Sequence, residues 1–263
     1  MKLRANGIEI NYEIHGNEGL PWLVLSHSLA CSVRMWDPQI AALKNRYRIL
    51  AYDTRGHGAT EAPQGEYSLD LLADDLFFLL KELKVGSAHY CGLSMGGTIG
   101  QSFALKYPGL FRTLTLADTT SRYPAEAWPV WQDRIRIAQT QGMEPLAQPT
   151  LERWFTEPFR KSQPAVVDGI RKLIVATAVA GYAGCCHALP KINVTARLKE
   201  IRCPILVIVG ADDPGTPPSM AREIHDNAPG SKLVVLPQAA HLANLEQPAA
   251  FTQALQEFLD GNS

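Results

Sequence analysis

The feature that most constrains this chain is a rhythm in which short β-like apolar runs alternate with longer segments of helical periodicity. The runs fall at residues 8–13, 22–26, 48–52, 88–91, 113–117, 205–209 and 232–236. Helical patterns occupy 36–43, 69–83 and 248–259; in the last, Phe251, Leu255, Phe258 and Leu259 recur at helix spacing. Parallel neighbours in a sheet must be joined by a crossover of a dozen or more residues, and a helix is the usual one. The rhythm therefore predicts an α/β protein whose mainly parallel, twisted sheet is flanked by helices. A chain of 263 residues accommodates one such core and a modest insertion.

The insertion is visible as a break. From 119 to 200 the strand-like runs disappear and helical stretches at 128–141, 146–155 and 164–180 replace them. The expected organisation is a first core segment 1–118, a helical cap 119–200 and a second core segment 201–263. No internal repeat or low-complexity tract interrupts it.

Composition excludes several functions. Lys+Arg 25 against Asp+Glu 26, with no long basic run, argues against a nucleic-acid partner. The apolar runs are far shorter than the roughly 20 residues of a membrane span, and the N-terminus lacks a secretory apolar segment. A soluble, cytoplasmic protein without a membrane partner is expected. The five cysteines, Cys31, Cys91, Cys185, Cys186 and Cys203, form no Cys-x-x-Cys pair and read as free thiols. The adjacent pair 185–186 has no second pair or histidine cluster beside it, so no metal site is expected.

Chemistry concentrates after the run at 88–91. Gly92-Leu93-Ser94-Met95-Gly96-Gly97 follows it and leads into a helical stretch, 98–107. A Gly-x-Ser-x-Gly turn between strand and helix holds serine in a strained elbow, where side chains two positions to either side would collide. It also sets Ser94 at a helix N-terminus, where backbone N–H groups and the helix dipole favour developing negative charge. The Met95 N–H is thus a candidate oxyanion donor.

A serine hydroxyl needs a base, and the base needs an orienting group. Elbow serines of this kind are followed in the chain first by the acid and then by the histidine. His241 lies in a loop after the last strand-like run and before the last helix. Asp212 and Asp213 both follow the run at 205–209, and Asp118, at the end of the run at 113–117, is a third carboxylate. The residue types alone leave the acid open.

Together these segments identify the chain as a member of the α/β-hydrolase fold family, which it resembles over nearly its whole length. Within that family it resembles the 3-oxoadipate enol-lactonases. The resemblance rests on Ser26-His27-Ser28-Leu29, Arg34-Met35-Trp36-Asp37-Pro38-Gln39, Tyr52-Asp53-Thr54-Arg55-Gly56-His57-Gly58 and Cys91-Gly92-Leu93-Ser94-Met95-Gly96-Gly97. Further on, Arg153-Trp154-Phe155-Thr156 and His241-Leu242-Ala243-Asn244-Leu245-Glu246 carry it. General esterases and perhydrolases share most of these blocks, and Ala30 stands where the lactonases usually have glycine.

The resemblance implies Asp213 as the acid, the Leu29 N–H as second oxyanion donor, and Trp154 as a substrate contact. It also implies an acyl-enzyme route needing no cofactor or metal, a small-molecule ester or lactone as partner, and 3-oxoadipate enol-lactone hydrolysis in the β-ketoadipate breakdown of protocatechuate and catechol. That lactone carries a carboxylate, for which Arg34 is the expected cation. Cap aromatics Trp128, Trp131, Phe155 and Phe159 are further candidates for the pocket wall, whereas the 53–58 turn, with His57, is expected to be structural. Dehalogenases and epoxide hydrolases of this fold use aspartate at the elbow, which Ser94 excludes. A carboxylesterase, a perhydrolase, a carbon–carbon bond hydrolase and a non-catalytic receptor on the same fold are the competing readings.

Overall fold

The chain opens in a hairpin. Asn6 and Gly7 take φ of 47° and 79°, a two-residue turn whose twist suits paired strands. In the computed structural model, which describes residues 1–262, this turn pairs β1 (Lys2–Ala5) antiparallel with β2 (Ile8–His15). β1 was not anticipated: four residues of mixed polarity carry no strand pattern, although the Asn-Gly turn after them does signal a hairpin.

The remaining strands are β3 (Trp22–Ser26), β4 (Arg48–Tyr52), β5 (Ala88–Leu93), β6 (Phe111–Ala117), β7 (Ile205–Gly210) and β8 (Lys232–Leu236). They form one sheet in the order β1-β2-β4-β3-β5-β6-β7-β8, parallel from β4 onward. Helices α1 (Asp37–Leu43), α2 (Leu69–Glu82) and α3 (Met95–Lys106) make the early crossovers. Side chains alternate between two cores. Leu23, Leu25, Ile49 and Cys91 join one that includes Ile40 of α1, and Val24, Leu50 and Tyr90 join the other with Leu76 of α2 and Phe103 of α3. With both faces covered, β5 and β7 are buried at every position, which is why β7 reads as an unbroken apolar run.

The strand order has a functional consequence. From β3 the chain crosses to β4 on one side, and it then returns to β5 on the other. Ligands of open α/β sheets bind at such a reversal, beyond the carboxyl ends of the strands. Here those ends are the loop after Ser26 and the elbow at Ser94.

Between β6 and β7 the described residues form α4 (Trp128–Gln141), α5 (Glu144–Trp154), α6 (Glu157–Ser162), α7 (Pro164–Ala176) and α8 (Val179–Ala188). The expected single helix 164–180 is two helices meeting at 92°. Thr177 turns extended (ψ 131°) and its hydroxyl bonds the Leu173 carbonyl, so the helical ladder stops there. After β7 come α9 (Pro218–Asn227), α10 (Ala243–Glu246) and α11 (Pro248–Asp260). α9 leaves little apolar signal in the sequence, since only Ala221 and Ile224 are buried in it. Among the described residues, no single helix is long and apolar enough to cross a membrane.

The 53–58 turn braces the loop after β3. Asp53 accepts the N–H of Val33 (2.8 Å) and of Ala59 (3.0 Å), and His27 Nε2 accepts the Thr54 N–H at 2.9 Å. Arg55 grips Asp75 of α2 in two hydrogen bonds of 2.7 and 2.6 Å, both side chains being buried. Removing one partner of such a pair leaves the other charge buried and uncompensated. Asp75→Ala is therefore expected to lower the unfolding free energy by about 3–5 kcal/mol, read from urea denaturation; a loss below about 1 kcal/mol, the scale of a surface pair, would refute this.

Candidate active site

β5 ends at Leu93 and α3 begins at Met95, so the chain turns from strand to helix on Ser94 alone. Its φ of 55° and ψ of −110° are strained for a residue with a Cβ, and such strain persists only where neighbours over-determine it. The Ser94 N–H donates to the Ala117 carbonyl (2.8 Å), and the Thr119 hydroxyl donates to the Ser94 carbonyl (2.8 Å). The Gly96 N–H donates to the His27 carbonyl at 3.1 Å. The glycines are obligatory: a Cβ on Gly92 would sit 2.3 Å from the Gly96 carbonyl oxygen, and one on Gly96 would sit 2.2 Å from that of Ser26. Ser94, partly exposed, lines a cavity of about 290 Å³.

His241 lines the same cavity from the loop after β8. Its Nδ1 lies 2.8 Å from Asp213 Oδ2. An ionised carboxylate only accepts, so Nδ1 carries a proton, and in the neutral form of the ring Nε2 is the nitrogen with the lone pair. Asp213 is held from its other sides by the Gly215 N–H (2.8 Å), the Thr216 N–H (3.1 Å) and the Thr216 hydroxyl (2.7 Å). Thr216 had no sequence signal. Burial opposes ionisation of Asp213, but the His241 charge and the hydrogen bonds from His241 and Thr216 outweigh it, and its pKa falls below the ordinary 3.8. Asp212 is exposed and sits on a different cavity.

Asp118 has the opposite electrostatics. It is fully buried, and desolvation followed by the charge of Asp213 drives its pKa well upward. Its Oδ1 accepts the Gly210 N–H at 2.8 Å, which ties the end of β6 to β7. Two neighbouring carboxyls are thus shifted in opposite directions, Asp213 downward and Asp118 upward.

Leu29 stands on the cavity wall beside Ala30, across from the elbow. The Met95 N–H is the first of α3, and no carbonyl of its own helix can reach it. Ala30 takes φ 56°, a left-handed conformation in which glycine is unstrained and alanine is not.

Trp154, at the end of α5, also lines the cavity, and its ring stacks on His241 with centroids 5.9 Å apart. Trp131 lines it too, Phe155 and Phe159 border a second cavity, and Trp128 stands against His187. Arg34, expected to meet a substrate carboxylate, is not on the cavity wall and pairs instead with Glu13 and Asp37. In its short 3-10 turn Val33, Met35 and Trp36 are buried, so Arg34 is the position left to face solvent.

The cations on the cavity wall are Arg134 of α4 and Arg153 of α5. Neither forms an ion pair among the described residues; Arg134 lies over the Trp131 ring at 4.8 Å, and Arg153 bonds the Thr150 hydroxyl at 3.1 Å. Burial, then repulsion from Arg134, pulls the Arg153 pKa down. Arg134 follows Trp131 by three residues, on the same helix face, a spacing that could have flagged it.

Strand order, elbow and strand-end residues define an α/β hydrolase, and the chain belongs to the α/β hydrolase fold family, whose model matches residues 21–248. Among characterised relatives it is 38% identical to 3-oxoadipate enol-lactonase 2 of Acinetobacter baylyi, over 97% of this chain and 94% of that protein. The solved enol-lactonase from Burkholderia xenovorans LB400 superposes with TM-score 0.95 at 38% identity, covering 99% of this chain and 100% of that one. A thermophilic esterase from Thermogutta terrifontis, solved with malate bound, gives TM-score 0.93 at 30% identity, with 100% and 99% covered.

Because the folded pKa of Asp213 lies below its unfolded value, its ionised form contributes stability above pH 3.8, lost as pH falls through the folded value. Asp213→Asn is expected to flatten the dependence of unfolding free energy on pH below about pH 4. Acid limbs of equal slope in the two proteins would contradict this.

Proposed function

We propose that the protein is a serine hydrolase of carboxylate-bearing lactones or esters, with 3-oxoadipate enol-lactone as its substrate and a place in the β-ketoadipate breakdown of aromatic compounds. The observation that carries the substrate class is the pair of arginines, Arg134 and Arg153, on the cavity wall with no carboxylate partner among the described residues. A cation withdrawn from water without a counterion is costly, and a substrate carboxylate would relieve that cost. The 38% identity to an enol-lactonase supports the particular lactone.

In this reading Ser94 Oγ attacks the lactone carbonyl while His241 Nε2 takes its proton, with Asp213 holding the imidazole in the productive tautomer. The Leu29 and Met95 N–H groups receive the oxyanion. Collapse breaks the ring C–O bond, and the leaving enolate takes the proton from His241. It stays tethered through the acyl chain. Water, deprotonated by His241, then attacks the acyl-serine; Ser94 Oγ leaves and takes the proton back from His241, so the net change is addition of one water, and the enol becomes the ketone. Every step uses side chains and backbone of this chain.

A carboxylesterase of small acidic esters is the second reading, favoured by the 30% identity to the esterase that holds malate, itself a dicarboxylate. A comparison of kcat/KM on the enol-lactone and on a panel of simple esters separates the two. A preference of about tenfold or more for the lactone is expected; a smaller one favours the esterase.

Ser94→Ala is expected to abolish turnover of both classes. Arg153→Met is expected to raise KM for the acidic lactone by about tenfold or more, while KM for p-nitrophenyl acetate and the effect of Arg34→Ala on either substrate stay small. Equal effects of Arg153→Met on charged and neutral substrates would sink the carboxylate assignment.

A further inference from the structure

The mechanism leaves Glu246 unused, although it is buried and forms no ion pair among the described residues. Its carboxylate joins two parts of the molecule. Oε2 accepts the N–H of Ala240 at 2.5 Å, and Oε1 accepts both the N–H (2.9 Å) and the hydroxyl (2.7 Å) of Thr156. Ala240 immediately precedes His241, while Thr156 caps α6 in the helical insertion. On the other side of the histidine, the Leu242 N–H donates to the Trp154 carbonyl at 3.1 Å, and the Trp154 ring stacks on the imidazole. Residues 240–242 are thus fastened on both flanks to residues 154–156.

We infer that Glu246 is a positioning residue, a clasp that locks the His241 loop to the α5–α6 junction of the insertion and so keeps the imidazole aligned with Ser94. This rests on the reading of His241 as the base. Asp213 holds the ring by one edge only, and the ring must serve two proton transfers, first from Ser94 and then from water. A displacement of about 1 Å between reacting groups costs about a hundredfold in rate. The wall against the ring face belongs to the insertion, so an insertion free to shift would carry that wall away from the imidazole.

The clasp requires a carboxylate. Glutamine has one accepting oxygen and one NH₂, and all three partners of Glu246 are donors here; the Thr156 hydroxyl already accepts the Phe159 N–H. Whichever way the amide turns, NH₂ faces a backbone N–H, and one half of the clasp opens. Glu246→Gln keeps the shape and removes the function.

The test compares wild type, Glu246→Gln, Thr156→Val and Ser94→Ala on p-nitrophenyl acetate and on the acidic lactone, with thermal melts alongside. Thr156→Val removes only the hydroxyl bond and is the milder variant should Glu246→Gln fold poorly. Expected is a fall in kcat of about tenfold or more for Glu246→Gln on both substrates, with KM changed less than twofold. A smaller fall in the same sense is expected for Thr156→Val, and the proton resonance between His241 Nδ1 and Asp213 Oδ2 should broaden in both. Loss of stability without loss of kcat per folded molecule, or a wild-type kcat in both variants, overturns the clasp while leaving the Ser94 reading intact. Turnover that survives Ser94→Ala overturns that reading and the clasp with it.

Discussion

The structure turns on a single left-handed backbone position. Holding Ser94 at φ 55° costs of order 1–3 kcal/mol, and the cost is met by contacts from two other segments: Ala117 and Thr119 at the end of β6, and Ser26 and His27 at the end of β3. Each of those contacts also places something the proposed chemistry needs. The His27 contact draws the Leu29 loop against the start of α3, and the Ala117 contact aligns the end of β6 with the end of β5. Relaxing Ser94 would shift the hydroxyl relative to the proposed oxyanion donors.

The loop that carries Leu29 is held with equal care from behind. His27 donates through Nδ1 to the Ser28 carbonyl, which leaves Nε2 to accept from Thr54, and Asp53 takes the Val33 N–H. Burial lowers the pKa of both His27 and His57, the latter to about 3, so the pair packs as neutral rings. The 53–58 turn is therefore a buttress for the loop, and the Arg55–Asp75 pair fixes the buttress to α2. Ala30 retains a left-handed conformation within this scaffold, so the departure from glycine there changes strain and the wall of the cavity more than the path of the chain.

Charge is distributed to match. Around His241 one carboxyl, Asp213, is wrapped in donors that favour its ionised form, while burial of Asp118 nearby disfavours ionisation there. The insertion brings the opposite sign, placing Arg134 and Arg153 over a cavity whose floor is Ser94 and His241. In the proposed reading, the two arginines would meet a substrate carboxylate while its carbonyl lies toward Ser94 and His241.

Local sequence determined the sheet, since runs buried on both faces, such as 205–209, are continuous in apolar residues whatever their neighbours. It also determined the elbow, because glycines two positions either side of a serine between strand and helix are a steric requirement of one short turn. What the tertiary structure decided depends on residues far apart in the chain. Whether Asp212 or Asp213 faces His241 depends on how β7 and β8 end side by side. That Arg34 faces Glu13 while Arg134 and Arg153 face the cavity depends on how the inserted helices lie over the strand ends. Arginines look alike in a sequence, and only packing decides which of them must leave water.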